Sequence, residues 1–303
     1  MAPAQNTLLV LAGPTASGKT ALSIRLAQHY RTEVVSADAR QFYRELKIGV
    51  GRPTAEQLEQ VPHHFIGHLS IHQPYSAGAY ERDALALLER LFVRYPLVVL
   101  TGGSGLFLRA VTEGLDRFPA VPPQMVQQLQ EAYQQKGLTF LQQELLRCDP
   151  DYLERVDRNN PQRLLRALSV CYASGKPYSS FLKGRRQQRP FRIIKIALEV
   201  PREELRKKIN KRIDHMLQQG WLEEARQLYP WRHLTALRTV GYPQLFRYLE
   251  GNISWEETVA SIRQQTWHYA RRQMTWLRSE PGVHFIRPEE EECIHELVRP
   301  QPL

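Results

Sequence analysis

Residues 7–12, TLLVLA, form an unbroken apolar run closed by Gly-Pro, the pattern of a strand buried on both faces of a parallel sheet. From Lys19 to about Tyr30 the spacing turns helical, with Leu22, Leu26 and Ala27 on one face. EVVSAD (33–38) and HHFIGHL (63–69) read as a second and third strand, and residues 77–94 as an amphipathic helix. PLVVLTGG (96–103) reads as a buried strand running into a glycine turn. Strand and helix thus alternate over the first 115 residues, which predicts a parallel sheet covered by helices on both faces. Between 124 and about 185 the chain is rich in Gln and Leu with helical period and no strand pattern. FRIIKIALEV (191–200) is again strand-like and returns to the sheet. Long basic helices over roughly 202–218 and 256–278 follow, then a short strand at VHFIR (283–287) and an acidic tail helix. The EEEE run (289–292) reads as the solvated start of that helix.

Composition changes this picture in one respect. Hydrophobic content of 42% and charged content of 24% are ordinary for a globular chain of 303 residues, but the net charge of +10 is not. It suits polyanionic partners, nucleic acid above all, equally with solubility alone. Cys148, Cys171 and Cys293 stand far apart with no C-x-x-C pair, against a zinc site or disulfide framework and in keeping with a reducing cytosol. The opening MAPAQNTLLVLAGP lacks a basic n-region, so no signal peptide is expected. No apolar stretch approaches the roughly 20 residues that span a bilayer.

GPTASGKT, Gly13 to Thr20, has the G-x-x-x-x-G-K-[ST] form of a phosphate loop between a strand and a helix. Glycines let several N–H groups turn inward on one anion, and the helix adds its positive end. Lys19 supplies a charge to the outer phosphate and Thr20 a hydroxyl to Mg²⁺. Together the patterns predict an α/β chain: a P-loop type parallel sheet with helices on both faces over 1–117 and 190–303, plus an all-helical insertion over 118–189. The loop is of the nucleotide-binding, ATP-binding kind, but it recognises any diphosphate. An NTPase also needs a metal-holding acid at the end of a nearby strand, and PLVVLTGG offers Thr101 and Gly102 instead.

Asp38 ends the second strand, on the edge where open α/β sheets bind ligands. It suits a general base or a metal partner equally with a helix N-cap. Gln41 could read a base edge or sit solvated, and Ser104 in GGSG could donate to a ligand or simply occupy a strand-to-helix turn. His63 and His64 are neighbours on a strand, so they face opposite ways and suit structural roles. Arg163 and Arg166 share a side of a helix starting after Pro161, GRRQQR (184–189) is a basic patch, and Lys208 aligns with Arg212. Arg263, Trp267 and Arg271 form one stripe with His268 and Arg272 beside it. Rings among arginines suit unpaired bases; Trp267, Met274, Trp276 and Leu277 equally suit a core.

GPTASGKT, SADARQFY, KIGVGRP, VPHHFIGHL, YSAGAY, LTGGSGLFLRAV, DRNNPQRLLRAL, GKPYS, RTVGYPQLFRYL and ARRQMTWLR occur in the order and spacing of bacterial tRNA dimethylallyltransferases. The chain resembles that family over nearly its whole length. The resemblance implies that the loop, Gly13, Pro14, Thr15, Ala16, Ser17, Gly18, Lys19 and Thr20, holds the diphosphate of dimethylallyl diphosphate, with Mg²⁺ near Thr20. It implies prenyl transfer to N6 of the adenine 3′ of the anticodon in tRNAs reading codons that begin with U. That base is flipped into a channel which the donor enters from the other end. An exocyclic amine has a delocalised lone pair and needs an acceptor for its proton, and Asp38 matches the family's base. Lys19, the loop amides and Arg212 match the groups that stabilise the departing diphosphate. Asp38, Ala39, Arg40 and Gln41 match a tRNA-contacting stretch, as do Gln162, Arg163, Leu164, Leu165 and Arg166 on the insertion. Ser104 stands where the family has a threonine that touches tRNA. A monomeric cytoplasmic enzyme with the tRNA anticodon stem-loop as partner is implied.

Departures from the family pattern are local. Ala39 replaces a serine, Val50 and Arg52 change IGTAKP to IGVGRP, Ser169 replaces a glutamate, and Val126 stands at a tRNA-contacting arginine. Trp267 and His268 replace cationic residues. None touches the phosphate loop or Asp38. Two other readings remain at this stage: an adenylate isopentenyltransferase acting on free AMP, ADP or ATP, and a P-loop NTPase or RNA-binding module. The first leaves the helical insertion and basic helices without a role; the second lacks its metal-binding acid.

Overall fold

The computed structural model describes residues 6–184 and 187–299. Arg185 and Arg186 of the basic patch, and the first five residues of the N-terminal segment, lie outside them. The chain divides into two compact units, Gly114–Gln187 and the remainder on either side of it. The expected insertion limits of 118 and 189 thus fall within four residues of the structural ones.

The larger unit begins with β1 (Thr7–Ala12), α1 (Lys19–His29), β2 (Val34–Ser36), α2 (Ala55–Gln60), β3 (His63–His64), α3 (Ala77–Phe92), β4 (Leu97–Gly102) and α4 (Gly105–Thr112). The helical unit carries α5 (Pro123–Cys148), α6 (Pro150–Arg155) and α7 (Pro161–Ser174). The larger unit then resumes with β5 (Arg192–Leu198), α8 (Arg202–Gln218), α9 (Trp221–Leu228), α10 (Tyr242–Leu249), α11 (Trp255–Ser279), β6 (Val283–Ile286) and α12 (Glu291–Val298).

The six strands pair in the order β3-β2-β4-β1-β5-β6, and every pairing is parallel. β1 lies between β4 and β5, with Leu9 opposite both Val99 and Ile194. Its apolar run is continuous because both faces are covered. Leu8, Val10 and Ala12 pack with Tyr80 and Leu88 of α3 and Leu108 of α4. Leu9 and Leu11 pack with Leu22 and Leu26 of α1 and Ile294 of α12 on the other side. A third apolar cluster joins α8, α9, α10 and α11 through Ile209, Ile213, Trp221, Leu245 and Ile262, and takes in Tyr43 and Leu46.

Two expected strands are shorter than their apolar patterns. The segment 33–38 pairs only over Val34–Ser36. The segment 63–69 pairs only at His63–His64, because Phe65 (φ +61°) and Gly67 (φ +59°) turn left-handed and leave the sheet. His64 then bonds Glu33 at 2.6 Å and His63 bonds the Val61 carbonyl at 2.7 Å, both structural roles.

Within the helical unit, α5 is interrupted at Gly137, which sits at φ +74°. Asp149, 1% exposed, caps α6 by accepting from Tyr152 N–H and also accepts from the Ser179 amide and hydroxyl. Asn160 caps α7, with Pro161 in its first turn. Leu164 and Leu165 are 0% and 8% exposed and pack with Leu129, Leu141, Leu145 and Leu153. Their side chains are therefore core, which leaves only their backbone to meet a tRNA. Gln162, Arg163 and Arg166 are exposed, and Arg166 lies over the Phe118 ring at 5.3 Å.

Candidate functional site

The site opens at the carboxyl edge of the sheet, where β1, β2 and β4 deliver their following loops. After β1 the chain turns through Gly13, passes Ala16 at φ +65° and Gly18 at φ +94°, and enters α1. A left-handed alanine is strained backbone, held here at the ligand edge. Lys19 Nζ donates to the Gly13 and Pro14 carbonyls at 2.9 and 2.7 Å. Burial, then the neighbouring Arg212, lowers its pKa to about 7, against the pull of Asp38. Arg212 on α8 is also held below its usual value by burial, again opposed by Asp38. The three groups are thus electrostatically linked.

Thr15, Ala16, Lys19, Thr20, Asp38, Arg40, Gln41 and Arg212 line one cavity of about 130 Å³. Part of its remaining wall is apolar and comes from the third cluster, Ile209, Ile213, Met216 and Trp221, while Thr239, Thr266, Tyr269 and Gln273 add polar groups. A larger, open groove of about 1140 Å³ adjoins it. It shares Ala16, Lys19, Thr20, Gly51, Arg212 and Met216 with the first cavity and adds Lys47, Arg52, Lys208 and Lys211. Lys208 pairs with Glu204 at 2.6 Å, one turn earlier on α8. Ser17 and Gly18 face this groove.

Asp38 Oδ1 accepts from Arg40 N–H at 3.1 Å, two residues on, which orients the carboxylate without a helix following it. Arg40 and Gln41, expected at the tRNA, are already engaged with backbone. The Arg40 guanidinium donates to the Thr235, Ala236 and Arg238 carbonyls, and Gln41 Nε2 to those of Val50 and Gly51. Ser104 Oγ accepts from Ala39 N–H at 3.1 Å and bonds Tyr269, whose pKa burial and then Asp38 push up to about 12. The hydroxyl at 104 therefore organises the backbone beside Asp38. β4 ends without a carboxylate: Thr101 Oγ1 donates to the Leu11 carbonyl at 3.1 Å.

For a cation the site offers oxygens, the Thr20 hydroxyl and the Asp38 carboxylate, while Ser17 Oγ is buried with no partner. Among the described residues no group of three His, Cys, Asp or Glu could form a protein cage. Such a donor set fits a hard Mg²⁺ that keeps waters and phosphate oxygens as ligands.

Two residues of the site lacked a local signal. Gln273 on α11 accepts from Thr15 N–H at 2.9 Å and donates to the Gly103 carbonyl at 2.8 Å, tying the phosphate loop to the turn after β4. Glu224 on α9 accepts from the Lys47, Ile48 and Gly49 amides. Of the basic helix residues, Arg263 pairs with Asp214 at 2.5 Å, Trp267 lies under Arg202 at 5.7 Å, and Leu277 is buried with Met274 and Trp276 beside it.

The family model described as IPP transferase matches residues 41–280. The chain is 46% identical over 293 residues to tRNA dimethylallyltransferase 1 of Phocaeicola vulgatus, covering 97% of this chain and 98% of that one. It is 44% identical to the tRNA dimethylallyltransferase of Christiangramia forsetii, covering 94% of each. Its fold matches the crystal structure of a tRNA isopentenylpyrophosphate transferase from Bacillus halodurans with a TM-score of 0.71 at 29% identity, covering 97% and 96% of the two chains. A eukaryotic dimethylallyltransferase acting on tRNA shares the fold with a TM-score of 0.79 at 22% identity, over 94% of this chain and 75% of that one. With four-fifths of its length matched by the family model and relatives aligned almost end to end, the chain belongs to the IPP transferase family of tRNA dimethylallyltransferases.

Proposed function

We propose that this protein transfers a dimethylallyl group from dimethylallyl diphosphate to N6 of the adenine 3′ of the anticodon, in tRNAs reading codons that begin with U. The observation that carries the reading is one cavity in which a carboxylate, Asp38, stands beside the phosphate-loop lysine, Lys19, and an arginine of α8, Arg212. The diphosphate lies on the loop amides and Lys19, with Arg212 over its outer side. The prenyl carbons face the apolar wall of Ile209, Ile213 and Met216. N6 attacks C1 of the donor, the C1–O bond breaks with its electron pair leaving on the diphosphate, and the amine proton passes to Asp38. Preorganised cations stabilise the leaving anion without moving. Mg²⁺, held by the Thr20 hydroxyl, would add charge neutralisation on the phosphate oxygens.

The names of the relatives support tRNA over free adenylate as the acceptor. The missing acid at the end of β4 argues against an NTPase. No helix of the described residues is long and apolar enough to cross a membrane, and we place the reaction in the cytoplasm, with the protein acting as a monomer on the anticodon stem-loop.

The test is incubation with labelled dimethylallyl diphosphate and Mg²⁺, offering unmodified tRNA and AMP in parallel. Label is expected in tRNA alone, on the adenine beside the anticodon. Asp38→Asn keeps an acceptor for the Arg40 amide and should lower turnover by about 10²–10⁴-fold with tRNA binding retained. Label in AMP, or near-normal turnover in the variant, would overturn the acceptor or the base assignment respectively.

A further inference from the structure

We propose that Glu224 is a positioning residue for the diphosphate end of the site, acting through the loop from Lys47 to Gly51. The proposal rests on the prenyl-transfer reading above. One carboxylate accepts three consecutive backbone amides: Lys47 N–H at 3.0 Å and Ile48 N–H at 2.8 Å on Oε2, and Gly49 N–H at 3.0 Å on Oε1. The Tyr242 hydroxyl donates to Oε1 at 2.6 Å. Successive N–H groups turned on one anion form the kind of concavity that elsewhere binds phosphate. Here the anion is a side chain of α9.

What the carboxylate holds is the surface under Arg212. At the loop's far end Gln41 Nε2 donates to the Val50 and Gly51 carbonyls at 3.4 and 3.1 Å. Between these anchors Gly51 sits at φ +55°, and a methyl group on it would fall 1.7 Å from Arg212 Nη2. The guanidinium therefore lies directly on the Gly51 backbone. Among the described residues Arg212 makes no hydrogen bond or ion pair, so, beside the attraction of Asp38, packing on this loop sets where its charge points. Gly51 and Arg212 line both the inner cavity and the outer groove, which puts the loop at the boundary between them. A loop released from Glu224 lets Arg212 wander from the phosphate oxygens, and catalysis by oriented charge is lost with displacements of about 1 Å.

The test uses Glu224→Gln, which keeps the side-chain volume but leaves one acceptor oxygen for four donors, the three amides and the Tyr242 hydroxyl. Calorimetric titration with inorganic diphosphate and Mg²⁺ should show Kd about tenfold weaker, and KM for dimethylallyl diphosphate should rise in parallel. The tRNA Kd should stay within about twofold, and hydrogen exchange should accelerate in the peptide carrying Lys47 to Gly51. Tyr242→Phe, which retains the carboxylate and its three amides, should change the diphosphate Kd by less than about threefold. If Glu224→Gln does not fold, Gly51→Ala carries the test. It displaces Arg212 without touching Glu224 and should weaken diphosphate to the same degree. Faster exchange in the loop with unchanged diphosphate Kd and donor KM overturns the proposal. So does an equal loss of diphosphate and tRNA binding, or a Gly51→Ala variant with wild-type diphosphate affinity. A wild-type protein that binds diphosphate but prenylates no tRNA would sink the functional reading alone, since the role of Glu224 is judged on diphosphate Kd.

Discussion

Lys19 should change its charge within the physiological range when the donor binds. Its side chain is partly buried, and its hydrogen-bond partners are two carbonyls, of Gly13 and Pro14. Burial and Arg212 bring its pKa from 10.5 to about 7, with Asp38 opposing. The free lysine is then about nine-tenths charged at pH 6, about half at pH 7 and roughly one-tenth at pH 8. A bound diphosphate favours the charged form. Binding should therefore draw about 0.9 proton into the site at pH 8 and about 0.1 at pH 6. Calorimetry in two buffers of different ionisation enthalpy reads that number, and Lys19→Met in the same buffers subtracts the ligand's own titration. Through this one group, donor affinity should fall by up to about tenfold per pH unit above pH 7. Stability of the ligand-free protein has the opposite sign. The unfolded lysine holds its proton to 10.5 and the folded one only to about 7, so the unfolded state binds more protons in that window. Stability should rise with pH across it and the gain should vanish when diphosphate saturates the loop. Identical proton uptake in wild type and Lys19→Met at both pH values would refute the reasoning.

Three further outcomes follow from the same geometry. Gly49→Ala places a methyl 2.1 Å from Trp221 Nε1 and 2.6 Å from Tyr242 Oη, both on fully buried side chains. It should destabilise by about 1–3 kcal/mol in urea unfolding; a variant as stable as wild type would mean the Trp221 pocket has slack. Gln273→Leu fills a similar volume but strands Thr15 N–H and the Gly103 carbonyl. It should lower stability by about 1–3 kcal/mol and raise donor KM, measured by thermal melting and initial rates. Affinity for tRNA should fall steeply with salt, with a log–log slope beyond about −3 if several phosphates are neutralised; a flat dependence between low and moderate salt would make the basic helices structural.

The parts of this molecule that sequence reveals are those whose cause is local. β1, β4 and β5 were legible because a strand covered on both faces must be apolar throughout. The phosphate loop was legible because anion binding by backbone fixes glycine and lysine at set positions. Asp38 was legible as a position, at the end of β2, and the resemblance supplied its role. The segment at 63–69 has the composition of a strand yet leaves the sheet at Phe65, where tertiary packing overrides propensity. α9 and α10 span only eight residues each, too short for a helical period to stand out.

The contacts that set the site's geometry have no local cause at all. Glu224 reaches amides 175 to 177 residues away, and Gln273 reaches Thr15 across 258. Nothing in WLEEARQL or RRQMTW marks either residue for that work. Within the stretch Gln162 to Arg166 the side chains divide: Leu164 and Leu165 are buried in the helical unit, while Gln162, Arg163 and Arg166 are exposed. Arg40 and Gln41, expected in a tRNA-contacting stretch, are engaged with the backbone of residues 235–238 and 50–51. Motif spacing therefore identifies which groups do the chemistry, and the side chains that fix where those groups point come from the other end of the chain. That division is why substitutions at Gln273 and Glu224 should register in donor KM, although neither residue belongs to the phosphate motif.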